Sequence, residues 1–142
     1  MIDVSNIVLR AVKEAVLAVY DDCYFTTTNP EAVTKNRVVS MTELDNRTYT
    51  RSLDTELKEH HAYVSFQFDA YSNNTSGKKE EAKAIINLID EAMLGMNFVR
   101  TMCQPTPNID RSYARYTARY EGVASEGRDD GNGNIVHDLY RK

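Results

Sequence analysis

The chain has few of the residues that build metal, redox or nucleophilic sites. It contains 2 cysteines, 3 histidines and 3 prolines, and it has no tryptophan. Cys23 and Cys103 are distant in sequence and match no metal-binding or redox spacing, so we expect two reduced, partly buried thiols. Adjacent His60 and His61 would point to opposite sides of a strand, where they cannot easily bind one metal together. We therefore expect no metal and no cofactor.

Recognisable catalytic motifs are also lacking. The chain has no His-Glu-x-x-His zinc motif, no glycine-rich phosphate loop and no nucleophile elbow. Residues 130–135 match the middle of a calcium-binding EF-hand loop, but Arg128 and Leu139 occupy the positions of its two anchoring carboxylates. We interpret these residues as a glycine-rich hairpin turn with no calcium dependence. Because no set of catalytic groups is complete, we expect the chain not to be an enzyme.

Long apolar runs and excess positive charge are missing too. No uninterrupted apolar run approaches the roughly 18 residues that read as a membrane-spanning helix. The first residues lack the basic and apolar stretches of a signal peptide, so we expect none. The formal net charge of −4 disfavours a protein that grips DNA through phosphate contacts. A length of 142 residues fits one domain.

Two segments carry apolar residues at helical spacing. The first covers residues 4–20, with Asp3 or Ser5 as its cap, and the second covers residues 78–94, with Ser76 or Gly77 as its cap. We expect Gly95 to be the left-handed residue just past the second helix. The apolar side of that helix consists of Ala82, Ile85, Ile86, Ile89, Ala92 and Met93.

Strand patterns account for much of the remainder. The clearest alternation places Val64, Phe66, Phe68 and Ala70 on one face, which we expect to pack on the second helix. Shorter strands are predicted at 23–28 and 98–102, the latter followed by an extended loop over 104–108. The longest strand is predicted from 109 or 110 to 123, with one charged face that is solvated or meets another subunit.

The polar segment 31–59 allows two interpretations. It forms either a strand pair over 37–42 and 46–50, joined near Asp45 and Asn46, or a long mobile arm. Residues 135–140 likewise form either a short terminal strand or a strand paired with a neighbour. The fold class predicted from these elements is α+β: a mostly antiparallel sheet with two amphipathic helices on one face, plus a polar central arm or hairpin. We expect residues 1–125 to form one domain and 126–142 a glycine-rich tail, and we expect 31–59 and 125–142 to gain order chiefly by contacting neighbours.

Three stretches carry a resemblance to a known family. They are the strand end Asp69-Ala70-Tyr71-Ser72, the helix start Gly77-Lys78-Lys79-Glu80-Glu81-Ala82-Lys83, and the late strand Arg115-Tyr116…Ala118-Arg119-Tyr120. Together they closely resemble the tail terminator, or tail completion, proteins of long-tailed bacteriophages. The resemblance covers most of residues 1–125 and is strongest from Phe66 onward.

The resemblance implies a structural virion protein, assembled in the cytoplasm of a bacterial host. Its subunits would form a ring, sixfold like the tail tube, that stops tube polymerisation and joins the tube to the head connector. The implied partners are identical subunits, the tube protein and the connector, with DNA passing through the lumen and no membrane. Two alternatives remain: another neck or head-completion protein of the same virion, and a small α+β enzyme or ligand-binding domain.

A set of basic, aromatic and apolar residues is predicted to form the subunit or partner interface. They come from the charged face of the longest strand, the polar central segment and the tail. They are Tyr113, Arg115, Arg119, Glu121, Arg37, Arg47, Arg51, Ile135 and Tyr140.

Overall fold

The computed structural model describes residues 2–27, 37–48, 61–73, 77–106, 113–125, 127–129, 131 and 135–140. The elements along the chain are α1 (Ser5–Leu17), β1 (Tyr24–Thr26), β2 (Arg37–Thr48), β3 (His61–Ser72), α2 (Lys78–Gly95), β4 (Val99–Thr106), β5 (Ala114–Ser125), β6 (Arg128–Asp129), β7 (Ile135–Val136) and β8 (Leu139–Tyr140).

One sheet organises the molecule. Its strand order is β1-β2-β3-β5-β4, with β8 paired to β5. The β1–β2 pair is parallel and all other pairs in this sheet are antiparallel. The predicted α+β class, with a mostly antiparallel sheet and two helices, is confirmed.

The core lies between one face of this sheet and both helices. Val64, Phe66, Phe68 and Ala70 alternate along β3 and are all buried, as their spacing predicts. Both helices contribute to the same buried cluster. The helical members of that cluster are Val8, Val12 and Val16 of α1 and Ile85, Ile86, Ile89 and Met93 of α2.

The strand pair expected within residues 31–59 is wrong for the part that the structure describes. Residues 37–48 form the single strand β2, which pairs with β3 from Arg37 opposite Ser72 to Thr48 opposite Ala62. The register shifts between Glu43 and Asp45, as at a β-bulge. A bulge absorbs one extra residue without reversing the chain, so the polar Asp45-Asn46 pair does not form the predicted turn. Residues 31–36 and 49–59 of this segment lie outside the described ones.

The end of α2 also differs from the prediction. Gly95 is the last helical residue, and the left-handed residue is Asn97, with φ of 68°. The Phe98 N–H donates to Met93 O at 3.0 Å and the Asn97 N–H donates to Leu94 O at 3.1 Å, as in a Schellman motif. Asn tolerates this conformation better than most residues. At the other end of α2, Gly77 caps the helix as predicted, with φ of 78°.

Two strand boundaries on the far side of the sheet were misplaced. β4 runs to Thr106 and therefore includes part of the predicted loop over 104–108; residues 107 and 108 lie outside the described part. Pro105 has no backbone N–H to donate to another strand. Proline is tolerated here because β4 is an edge strand. β5 runs from Ala114 to Ser125 and so ends two residues beyond the predicted 123; residues 109–112 of the predicted strand lie outside the described part. None of the described helices combines the length and apolar character needed to cross a membrane.

Candidate interaction surface

The sheet face opposite the helices, called here the open face, carries most of the polar side chains of β3 and β5. Strand alternation places them there, because residues directly paired across an antiparallel ladder point to the same side. The open-face residues of these two strands are Tyr63, Ser65, Gln67, Asp69 and Tyr71 on β3, and Arg115, Thr117, Arg119 and Glu121 on β5.

The centre of the open face holds a completely buried carboxylate. Asp69 is 0% exposed, and its Oδ1 lies 3.0 Å from both Nε and Nη2 of Arg115. The Thr117 hydroxyl donates to the same oxygen at 2.6 Å, and Gln67 donates to Oδ2 at 3.0 Å. A buried carboxylate is stable only when its charge and lone pairs are matched, and this set of donors does so.

Two arginines on this face are held in fixed orientations. Arg119 Nε donates to Gln67 Oε1 at 2.8 Å, which links it to Asp69 through one amide. The Arg115 guanidinium lies over the Tyr71 ring at 5.5 Å from its centroid. Burial raises the pKa of Tyr71, while the charge of Arg115 opposes that rise. Arg115 keeps 24% of its side chain exposed, so the face presents ordered cationic groups to the outside.

A hollow of about 380 Å³ lies where the start of α2 meets the end of β4 and the start of β5. Its lining includes three cationic side chains and the predicted interface residue Tyr113. The lining residues are Lys78, Lys79, Pro105, Thr106, Tyr113, Ala114 and Arg115. The hollow thus gathers three cationic side chains, while Arg115 is paired with Asp69 and the first turn of α2 also carries Glu80 and Glu81.

Arg37, another predicted interface residue, is engaged within the chain. Its Nη1 lies 2.7 Å from Asp22 Oδ1, and its Nε donates to Glu81 Oε1 at 2.5 Å. The guanidinium also lies over the Tyr20 ring, 5.1 Å from the centroid. Arg37 therefore joins the start of β2 to α2 and to the turn after α1. An additional role for Arg37 between subunits stays a prediction.

The other predicted residues are dispersed. Arg47 lies over the Tyr63 ring at 4.9 Å and 3.7 Å from Asp45. Arg51 lies outside the described residues. Ile135 pairs with Asp129 in the small antiparallel β6–β7 ladder, and residues 130 and 132–134 of the predicted glycine-rich turn lie outside the described ones. Tyr140 is 47% exposed and contacts the His61 ring edge-on. The structure thus groups Tyr113, Arg115, Arg119 and Glu121 on β5 or directly before it. Arg47 lines a small hollow together with Glu121, and the other described residues lie apart.

The two ends of the sheet differ from each other. β4 forms one end, and most of its side chains are exposed, including Val99 at 38%. Within the described ranges, no strand pairs with the outer side of β4. β1 forms the other end with a single short parallel pair to β2, and its Tyr24 is 52% exposed. An edge strand can add a further strand through its outer backbone groups, which makes β4 a candidate for strand addition.

A polar triad fastens α2 to the β4 side of the sheet. The buried Tyr120 hydroxyl donates to Asp90 Oδ1 at 2.8 Å, and Arg100 Nη1 lies 3.0 Å from Asp90 Oδ2. Burial raises the pKa of Tyr120, and its bond to Asp90 adds to the rise. These contacts tie Arg100 of β4 to Asp90 of α2. In the part of the chain that the structure describes, no group of three or more His, Cys, Asp or Glu residues could hold a metal ion.

Comparison with known proteins gives a remote structural likeness. No protein-family model matches the chain. No curated protein matches it either. Among solved structures, the chain is similar to a sheath/tube terminator of the extracellular contractile injection system PVC, in the extended state, with 12% identity and a TM-score of 0.33. The match covers 91% of this chain and 60% of that one, so this chain spans less than two thirds of its length. A likeness this remote carries no conclusion about function.

Proposed function

We propose that this chain is a structural subunit that assembles with identical copies through the two different ends of its sheet. The observation that carries the proposal is the contrast between the exposed β4 edge and the short β1 edge. A contact between two different patches of identical subunits is heterologous. It closes into a ring when the rotation between neighbouring subunits is a whole fraction of a full turn. Strand addition at the β4 edge supplies backbone hydrogen bonds for such a contact.

The more specific role that we propose is that of a tail terminator. It is supported by the resemblance of three stretches to tail terminator proteins: the end of β3, the start of α2 and the centre of β5. In the fold, these stretches belong to one sheet and to one helix. In this role the ring caps the head-proximal end of a phage tail tube, stops its polymerisation and binds the head connector. The surface formed by Arg115, Arg119 and the hollow is proposed to contact the tube protein or the connector.

Measuring the mass of the purified protein, followed by imaging of its particles, tests this function. The proposal predicts a single oligomer whose mass is a whole multiple of the subunit mass; the resemblance implies six copies. Imaging should show rings with a central opening. A monomer whose basic hollow binds a small anion stoichiometrically would instead favour the ligand-binding alternative. Rings that bind a connector but not a tube end would favour another neck protein.

A further inference from the structure

The last described residues of the chain occupy a specific binding site at the end of β5. The Ser125 N–H donates to Asp138 O at 2.8 Å, and the Asp138 N–H donates to Ser125 Oγ at 2.7 Å. His137 Nδ1 lies 2.8 Å from the carbonyl oxygen of Ser125. One residue of β5 therefore contacts the segment through three of its polar atoms. We call residues 137–140 the C-terminal strand and its binding site the receptor.

The receptor also recruits groups from α2 and β3. Asn97, the left-handed residue after α2, donates its side-chain amide to Leu139 O at 3.0 Å. The Leu139 side chain packs against the hydrophobic core, and the Tyr140 ring meets His61 at 5.7 Å between centroids. Backbone, amide, apolar and aromatic contacts thus all bind the four residues of the C-terminal strand.

The C-terminal strand lies on the same edge as β4. β5 pairs with β4 over residues 115–121 and with β8 at Val123 and Ala124, on the side away from β3. β8 therefore prolongs the exposed β4 edge. A copy that docks along β4 comes into contact with the receptor and with the strand that fills it.

Few residue pairs attach the C-terminal strand to β5, and a long segment of chain connects the two. Only two residue pairs join β8 to β5, whereas twelve join β3 to β5. Residues 126–136 connect the receptor to its strand and include Gly127, Gly131 and Gly133. Once the two residue pairs of the β6–β7 ladder within it open, this connection reaches roughly 40 Å at about 3.3 Å per residue. When β4 of one copy docks on β1 of the next, their β5 strands are five spacings of about 4.8 Å apart, roughly 24 Å, so the C-terminal strand can reach the receptor of an adjacent copy.

We propose that, in the assembled oligomer, the C-terminal strand of each copy binds the receptor of its neighbour. Exchange re-forms the same hydrogen bonds and the same core contact between copies, so it requires no new recognition chemistry. It links successive subunits by a crossing chain as well as by their edges. The inference rests on the proposed ring, and it assigns a second copy of this chain as the occupant of the receptor.

A designed disulfide distinguishes exchange from closure within one chain. The bond between Ser125 N and Asp138 O makes Ala124 and Leu139 the next, non-hydrogen-bonded pair, in which Cα atoms lie about 4.5 Å apart. That spacing suits a disulfide. The full-length variant carries Ala124→Cys and Leu139→Cys, with Cys23→Ala and Cys103→Ser to remove the native thiols. A control carries Asp45→Cys and Ser65→Cys, which face each other across β2 and β3.

After oxidation of the assembled protein, exchange predicts a denaturant-resistant ladder of multimers for the Ala124/Leu139 pair and a single-chain band for the control. Rings that yield only single-chain bands for both pairs overturn exchange but leave the ring intact. A protein that stays monomeric at every concentration overturns both.

Mixing two full-length variants provides an independent measurement, which decides the matter where no disulfide forms. Leu139→Asp weakens the strand, and Ser125→Pro removes the receptor's N–H and hydroxyl. Exchange predicts that combining the two yields larger complexes than either variant forms alone, because one supplies an intact strand and the other an intact receptor. If mixing yields no complex beyond those of each variant alone, exchange is wrong.

Discussion

Gly122 is one residue whose identity is set by a direct contact. A Cβ at this position would lie 2.9 Å from Phe98 Cδ1 and 3.0 Å from its Cε1. Phe98 itself is fixed by the Schellman motif after α2 and by an edge-on contact with Phe66, 5.9 Å between centroids. The ring therefore has little freedom to move aside.

We predict that Gly122→Ala destabilises the protein by about 1–3 kcal/mol through overpacking. Gly95→Ala is the matched control, because nothing lies within 4 Å of a Cβ there and its φ is not positive. That substitution should be neutral or stabilising by about 0.5–1 kcal/mol, as expected for glycine in a helix. Urea melts of the two variants test the contact; equal stabilities would contradict it.

Asp69 is the residue on which the open face depends. Asp69→Asn removes the charge that Arg115 contacts but keeps the side-chain volume. We predict a loss of about 2–3 kcal/mol, since a largely buried cation loses its partner. Asp45→Asn removes an exposed carboxylate 3.7 Å from Arg47 and should change stability by less than about 0.5 kcal/mol. Denaturant melts showing the same small effect for both would mean that Asp69 contributes no net stability.

Cys23 supplies a pH-dependent prediction. Burial first, and then the charge of Asp22, raises the pKa of the Cys23 thiol to about 12 from 9.0. Folding therefore favours the neutral thiol, so its contribution is complete below pH 9 and is lost as the pH rises toward 12. We expect Cys23→Ala to reduce the loss of stability measured between pH 9 and pH 11. An unchanged pH profile would show that the thiolate is accommodated in the folded state.

At the scale of elements, local periodicity was sufficient where an element buries one clear face. α2 and β3 were predicted because Ile85, Ile89, Phe66 and Phe68 repeat at helical or strand spacing and are all buried. β2 was not, because its course depends on pairing with β3 and on a bulge, both of which are non-local. The polar signal at 45–46 favoured a turn, and the long-range ladder overrode it.

The packing of β3 on the helices gives the prediction at this scale. Phe66 and Phe68 are both fully buried, and Phe68 meets Tyr120 edge-on at 6.0 Å. Phe66→Ala or Phe68→Ala should therefore cost about 3–5 kcal/mol in denaturant melts. Leu44→Ala, at a site that is 44% exposed, should cost far less. A loss below about 1 kcal/mol for either Phe variant would contradict the assignment of this face to the core.

The candidate surface was only partly predictable. The alternation of β5 placed Arg115, Arg119 and Glu121 on one face in advance. It could not show that Asp69 is buried beneath Arg115, because that depends on the β3–β5 register. Nor could it show that Arg37 is bound by Asp22 and Glu81, which come from distant parts of the sequence. The edges of a sheet exist only once the strand order is known.

At the scale of the whole molecule, the account depends on assembly through the β4 edge. Val99 on β4 and Ile7 on α1 are apolar residues of nearly equal exposure, 38% and 37%. A lysine on an edge strand blocks the approach of another strand, whereas a lysine on an exposed helix face does not. The variants Val99→Lys and Ile7→Lys therefore differ chiefly in which surface they charge.

The most direct test is the native mass of the wild-type protein and of these two variants at the same concentration. We predict closed rings for the wild type and for Ile7→Lys, and monomers or small open oligomers for Val99→Lys with unchanged secondary structure. Rings of wild-type mass from Val99→Lys, or a wild-type protein that is monomeric throughout, would contradict assembly through this edge.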